Sequence, residues 1–143
     1  MCIRDRSIAG KKAQNFLKNK LEKGAANLKE KEKNILEEEK KIIQQKKVIS
    51  NDEYKKKLTE LRNKVSTLRT TRNKLLESVA KERAEAKKTL LKNLNPILKE
   101  YMKENKIRMV IDKKNVLLAD ENLDITKNIL EILNKKLKNI PLK

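Results

Sequence analysis

Ser50-Asn51-Asp52-Glu53 is the stretch whose reading decides the fold. A serine followed three residues later by a glutamate is a capping-box pattern, in which each side chain satisfies an orphaned backbone N–H at a helix start. Ile49 before the cap and Tyr54 at the fourth helical position supply the matching hydrophobic staple. One helix therefore ends near Ile49 and another begins at Asn51. Two long helices with so little chain between them pack as antiparallel neighbours. A single unbroken helix is the competing reading, because neither Gly nor Pro interrupts this region.

The flanking segments carry helical periodicity. Leu21, Leu28, Ile35, Ile42 and Ile49 recur every seventh residue, and Leu17, Ala25, Leu36 and Ile43 widen that stripe. Lys31, Glu38 and Gln45 interrupt its partner row, so the seam is thin. After the tip, Tyr54, Leu58, Leu61, Val65, Leu68, Leu75, Val79 and Ala86 alternate spacings of four and three, with Arg72 and Glu82 as polar exceptions. Glu37/Lys41, Glu53/Lys57, Glu60/Lys64 and Glu77/Lys81 stand four apart in the favourable order, each pair worth about 0.2–0.5 kcal/mol. Gly24 is a weak point at roughly 1 kcal/mol relative to Ala. Residues 8–95 thus read as a helical-hairpin arm with its tip near 49–53. Such an arm buries one seam only and bends as a unit.

Composition supports that reading. Of 143 residues, 41% are charged and 2% aromatic, with no Trp and no His and only two each of Gly and Pro. That is too little apolar bulk for an ordinary globular core and fits long paired helices. The net charge of +18 calls for an acidic partner, and by itself leaves nucleic acid, an anionic membrane surface and acidic protein open. Lys greatly outnumbers Arg, is spread along the whole chain and has almost no aromatic company, which is unlike a nucleic-acid reader. Lys41, Lys46, Lys47, Lys55, Lys56 and Lys64, grouped near the tip, are the diffuse set expected to attract such a partner.

Asn95-Pro96 marks a hinge between arm and body, because Asn caps well and Pro suits a first helical position. The helix is expected to kink or restart there, with a straight run through Pro96 as the competing reading. Residues 96–140 form the body. Within it, Lys106 to Asp112 and Val116 to Ala119 are β-branched and alternating, with a turn-like Asp112-Lys113-Lys114-Asn115 between them, which predicts a β-hairpin over 107–119, continued helix being the competing reading. Ile107, Met109, Ile111, Val116, Leu118 and Ile125 are its core candidates within the body or between copies. A two-stranded sheet alone is marginal, so it needs further strands. Thr126 is the candidate cap of a last helix over 126–138 bearing Ile129, Leu130, Ile132, Leu133 and Leu137, and Pro141 stops it.

Much chemistry is excluded. Without histidine there is no imidazole catalysis, and two isolated glycines make no phosphate loop. Cys/His metal sites cannot form, and no cofactor is expected. Asp112, Asp120 and Asp124 have turn and cap duties. The chain reads as a non-enzyme. No stretch approaches the roughly twenty apolar residues of a membrane span. Met1 to Ser7 resembles a translated sequencing-adapter scar, so residues 1–7, including the lone Cys2, are expected to be non-native and disordered, with the natural start and any export signal lost.

Together these segments resemble the Skp/OmpH family of periplasmic chaperones for outer-membrane proteins, from Ser7 to near Leu137. Ala9-Gly10-Lys11-Lys12-Ala13-Gln14 is similar to the family's entry into the arm, Ser50 to Tyr54 to its tip, and Asn95-Pro96-Ile97 to its return to the body. Most specific are Met109 to Asp112, then Asn115 to Asp120, then Leu123 to Thr126. The resemblance implies a mainly α fold with a small β part, assembled as a jellyfish-like homotrimer. It also implies an ATP-independent holdase that keeps unfolded outer-membrane β-barrel precursors in a cavity between basic arms in the periplasm. A basic coiled-coil protein of the nucleoid type, binding nucleic acid, and a purely structural coiled-coil spacer are the alternatives.

Overall fold

The computed structural model describes residues 3–142, save the side chains of Arg4 and Asp5. Cys2 lies outside the described residues. Among the described residues, four α-helices run in the order α1 (Ile3–Arg6), α2 (Ile8–Gln45), α3 (Asn51–Glu104) and α4 (Thr126–Lys136). Two 3-10 turns, Lys113–Asn115 and Glu121–Leu123, lie between α3 and α4. The chain divides into two compact units, residues 18–80, and residues 1–17 with 81–143.

The 18–80 unit is the antiparallel pair of α2 and α3. Cross-helix partners show its register: Lys57 Nζ donates to Gln45 Oε1 at 2.8 Å, and Lys64 Nζ meets Glu38 Oε1 at 2.6 Å. Farther along, Gly24 lies against Leu75. Lys57 and Lys64 are therefore drawn across the hairpin, not to Glu53 and Glu60 on their own helix. The seam is as thin as the periodicity implied. Ile42 and Leu61 are its buried hydrophobics, whereas Leu28, Ile35, Leu58, Leu68, Leu75 and Val79 are half-buried. A helix pair of this kind keeps its secondary structure through one shared apolar face and has little to brace it sideways.

The other unit holds the densest packing. Leu94 and Ile97 of α3 meet Ile129 and Leu133 of α4, with Leu98, Tyr101, Ile125 and Ile132 around them. Asn128 Nδ2 donates to the Tyr101 hydroxyl at 2.7 Å, and Lys136 Nζ to Glu100 Oε2 at 3.2 Å. A second cluster joins Ala9 and Ala13 of α2, Ala86 and Leu90 of α3, and Ile140.

The structure corrects several expectations. Pro96 ends nothing, and α3 continues through it to Glu104. An interior proline costs about 3 kcal/mol. Here Leu94 and Ile97 on either side are buried against α4, and burial of two such side chains, at roughly 1.5–3 kcal/mol each, offsets that cost. The β-hairpin over 107–119 is not formed, and no strand occurs among the described residues. The physical reason is that a lone pair of short strands gains too little to hold, and the described residues offer no third strand to pair with. Residues 3–7 are not disordered: Ile3–Arg6 make a helical turn that contacts α4, and Ile3 packs on its cluster. Ser7 is fully buried and its Oγ accepts the Gly10 N–H at 3.1 Å, starting α2. Finally, α4 is capped by Asp124, whose Oδ1 accepts the Thr126 N–H at 3.0 Å, with Ile125 rather than Thr126 at the cap position. The helix ends at Lys136, well before Pro141.

Candidate functional site

The tip is built by helix-end chemistry. α2 stops at Gln45, four residues earlier than Ile49, and residues 46–49 form a turn. Ser50 Oγ accepts the Glu53 N–H at 3.3 Å and Ser50 O accepts the Tyr54 N–H at 2.9 Å, so the hydroxyl satisfies one of the donors that the start of α3 leaves orphaned. Ile49 and Tyr54 are half-buried. The Lys46 ammonium sits 5.8 Å from the Tyr54 ring centroid, a cation–π contact worth roughly 0.5–1 kcal/mol at an exposed site.

Around this turn charge and apolar surface lie side by side. Residues 40–64 carry nine basic and three acidic residues. Lys41, Lys46, Lys47, Lys55 and Lys56 are all exposed, and Lys64, also exposed, is bound to Glu38. Among them stand apolar side chains that the helix pair leaves uncovered: Val48 is 85% exposed, Ile43 59% and Leu36 52%. An ammonium is a strongly hydrated point charge on a flexible stem, so this surface attracts anions without fixing their geometry.

A second candidate surface follows α3. Met109, Ile111, Val116 and Leu118 are exposed, with Leu117 and Leu123, while Ile107 and Ile125 are half-buried. The single chain does not bring this set together as a core; only Ile125 among the six packs on the α3/α4 cluster. Three aspartates shape the segment in the same way. Asp112, Asp120 and Asp124 each accept the backbone N–H two residues on, at 3.2, 2.9 and 3.0 Å. Such Asx turns fold a short loop locally. Lys113 Nζ reaches Asp124 Oδ2 at 2.6 Å, and that bond, with those from Thr126, holds the Asp124 carboxyl well below its ordinary value. The Lys114 N–H lowers Asp112 similarly.

Asn95 and Pro96 are exposed positions inside α3. Sequence reading overlooked a feature beyond Lys64: Leu61 to Leu76 contains Arg62, Lys64, Arg69, Arg72 and Lys74 and no carboxylate. Its signal was present in the charge order, masked by the overall abundance of Lys. Among the described residues no cluster of acidic, His or Cys side chains is placed to hold a metal ion, and no helix is long and apolar enough to cross a membrane.

The sequence matches the family model for outer membrane protein (OmpH-like) over residues 3–133. The chain belongs to the OmpH-like family. The crystal structure of an OmpH-like protein from Caulobacter crescentus, assigned as an outer membrane chaperone, has the same fold as this OmpH-like chain. The TM-score is 0.91 at 20% identity, covering 99% of this chain and 83% of that one. No curated protein matches the sequence.

Proposed function

We propose that this OmpH-like chain is an ATP-independent holdase of the periplasm that binds unfolded outer-membrane β-barrel precursors and prevents their aggregation. The observation that carries the reading is the tip, where exposed Val48, Ile43 and Leu36 lie among exposed lysines. Charge gathers an acidic, unfolded chain over a Debye length of about 10 Å at 0.1 M salt, and scattered apolar side chains then make weak contacts at many points. Weak, distributed contacts retain a client without selecting one conformation of it. Release needs a better-bound destination and no fuel. The same lysines suit the headgroups of an anionic membrane surface.

Copies of the chain meet, in this reading, as a homotrimer through residues 107–125. Met109, Ile111, Val116 and Leu118 would be covered there, and the strands that one chain cannot stabilise would find partners. A nucleic-acid function is less well supported, because Phe16, Tyr54 and Tyr101 are the only aromatic residues and stacking platforms need more.

The test is suppression of aggregation of a urea-denatured outer-membrane barrel on dilution, across a salt series. Suppression should be strong at low salt and weaken as salt rises. Replacing Lys41, Lys46, Lys47, Lys55 and Lys56 together by Gln should mimic high salt. Absence of suppression at every salt concentration would defeat the proposal.

A further inference from the structure

The bonds from Lys57 to Gln45 and from Lys64 to Glu38 join the two arm helices along one edge of their seam. The opposite edge is open. Leu58 and Val65 follow those lysines by one residue each, which turns them about 100° round α3 and onto that edge. There Leu58, Leu61 and Val65 line a groove, with Arg62 of α3 and Glu39 of α2 at its sides. Leu36 and Ile43, three before and four after Glu39, share its face of α2, and both are exposed, as is Val65. One heptad farther from the tip, Glu32 and Arg69 repeat the two sides. All four charged residues are exposed, and among the described residues none is held in an ion pair within the chain. The groove thus has an apolar floor, an acidic rim and a basic rim.

We propose that this open edge is a self-pairing surface, covered by the same edge of a second copy of the chain. An acidic partner fits it poorly, because two glutamates stand along one rim. A copy fits, since a two-fold axis parallel to the helices lays α2 of one chain over α3 of the other with both tips at one end. Each acidic rim then meets a basic one: Glu39 faces the partner's Arg62, and Glu32 the partner's Arg69. Leu36 comes to lie over the partner's Val65, and Ile43 over the partner's Leu58, so that all four leave water. Two chains of net charge +18 repel overall, and the rims select the one geometry in which opposite charges meet. The pairing goes beyond the chaperone reading and stands without it. Where both hold, pairing and client capture compete for Leu36 and Ile43.

The test mixes two full-length chains, Leu36→Cys and Val65→Cys, each also carrying Cys2→Ser, in oxidised glutathione. The mixed disulfide should form about tenfold faster than either homodimer, because only Leu36 and the partner's Val65 come within bridging distance. Glu32→Arg with Glu39→Arg in both chains sets like charges rim to rim and should slow the reaction about tenfold. Those reversals in one chain, with Arg62→Glu and Arg69→Glu in the other, make the rims opposite again and should restore the rate. No preference for the mixed disulfide, or a rate blind to the reversals, overturns the proposal. On the unaltered protein, raising the concentration through the micromolar range should slow amide exchange over residues 36–43 and 58–65. Unchanged exchange overturns the pairing even where a variant misfolds. Barrel aggregation measured alongside separates the two readings. Suppression without pairing sinks the self-pairing alone, and pairing without suppression sinks the holdase function alone.

Discussion

Ile107 donates its backbone N–H to the carbonyl of Met102 at 2.9 Å, closing the end of α3 five residues back along the chain. The Lys106 N–H reaches the carbonyl of Lys103 at 3.4 Å, and Lys106 itself has φ 55°. This is the Schellman arrangement, whose left-handed position usually belongs to glycine. A lysine there costs about 1 kcal/mol or more. Lys106→Gly should therefore stabilise the chain by about 1 kcal/mol in a urea melt, and a loss of stability would contradict the geometry.

The tip gives the opposite sign. Ser50→Ala leaves the Glu53 N–H without its side-chain acceptor and should cost about 0.5–1 kcal/mol, with Ser50→Gly costing only a few tenths. The thermal midpoint of the helical signal by circular dichroism reads both. Equal midpoints for the two variants would mean that the hydroxyl does not cap α3.

Gly24 is where α2 and α3 approach closely. A Cβ built there would lie 2.9 Å from Leu75 Cδ1 and 3.2 Å from its Cγ, with Cδ2 nearer still. Those atoms end a flexible side chain, so Gly24→Ala should be nearly neutral, the gain in helix propensity offset by movement of Leu75. Gly24→Val should destabilise the arm by about 1–3 kcal/mol. Leu75→Ala in the same chain should recover part of that loss, which a double-mutant cycle measures.

The turn before α4 should respond to acid. The hydrogen bond from Lys113, then those from Thr126, lower the Asp124 pKa below its ordinary 3.8, and the Lys114 N–H lowers Asp112. A group whose folded pKa is depressed contributes its stability in full above the unfolded value and loses it as pH falls through the folded one. Local order over residues 112–126 should thus persist down to pH 3.8 and fade only below it. Carboxyl NMR titration of Asp124 should place its midpoint under 3.8; a midpoint at or above that value would remove the predicted acid sensitivity.

The helical hairpin was legible because its signals are local: a serine and a glutamate three apart, and apolar residues at heptad spacing. The end of α2 was placed four residues too late, since Lys46, Lys47 and Val48 fit a helix as well as a turn. Pro96 misled for the opposite reason. Its local preference is clear, but the burial of Leu94 and Ile97 against a helix thirty residues onward outweighs it. The apolar alternation of 107–118 marks exposed surface and not strands, because a lone pair of short strands gains too little to hold. Gly24 announced its cost in the sequence and hid its benefit, because Leu75 lies fifty-one positions away. At the tip, the lysines were visible in composition, whereas the exposure of Val48 follows from where the turn falls.

The two tyrosines lie one in each unit, Tyr54 at the arm tip and Tyr101 beside Asn128, and the chain has no tryptophan. Tryptophan emission from any complex therefore reports the bound polypeptide alone, free of background. Energy transfer from each tyrosine to that emission gives two separable optical rulers. Tyr54→Phe and Tyr101→Phe remove them one at a time, so the path of a captured chain past tip or body can be followed without attaching a dye.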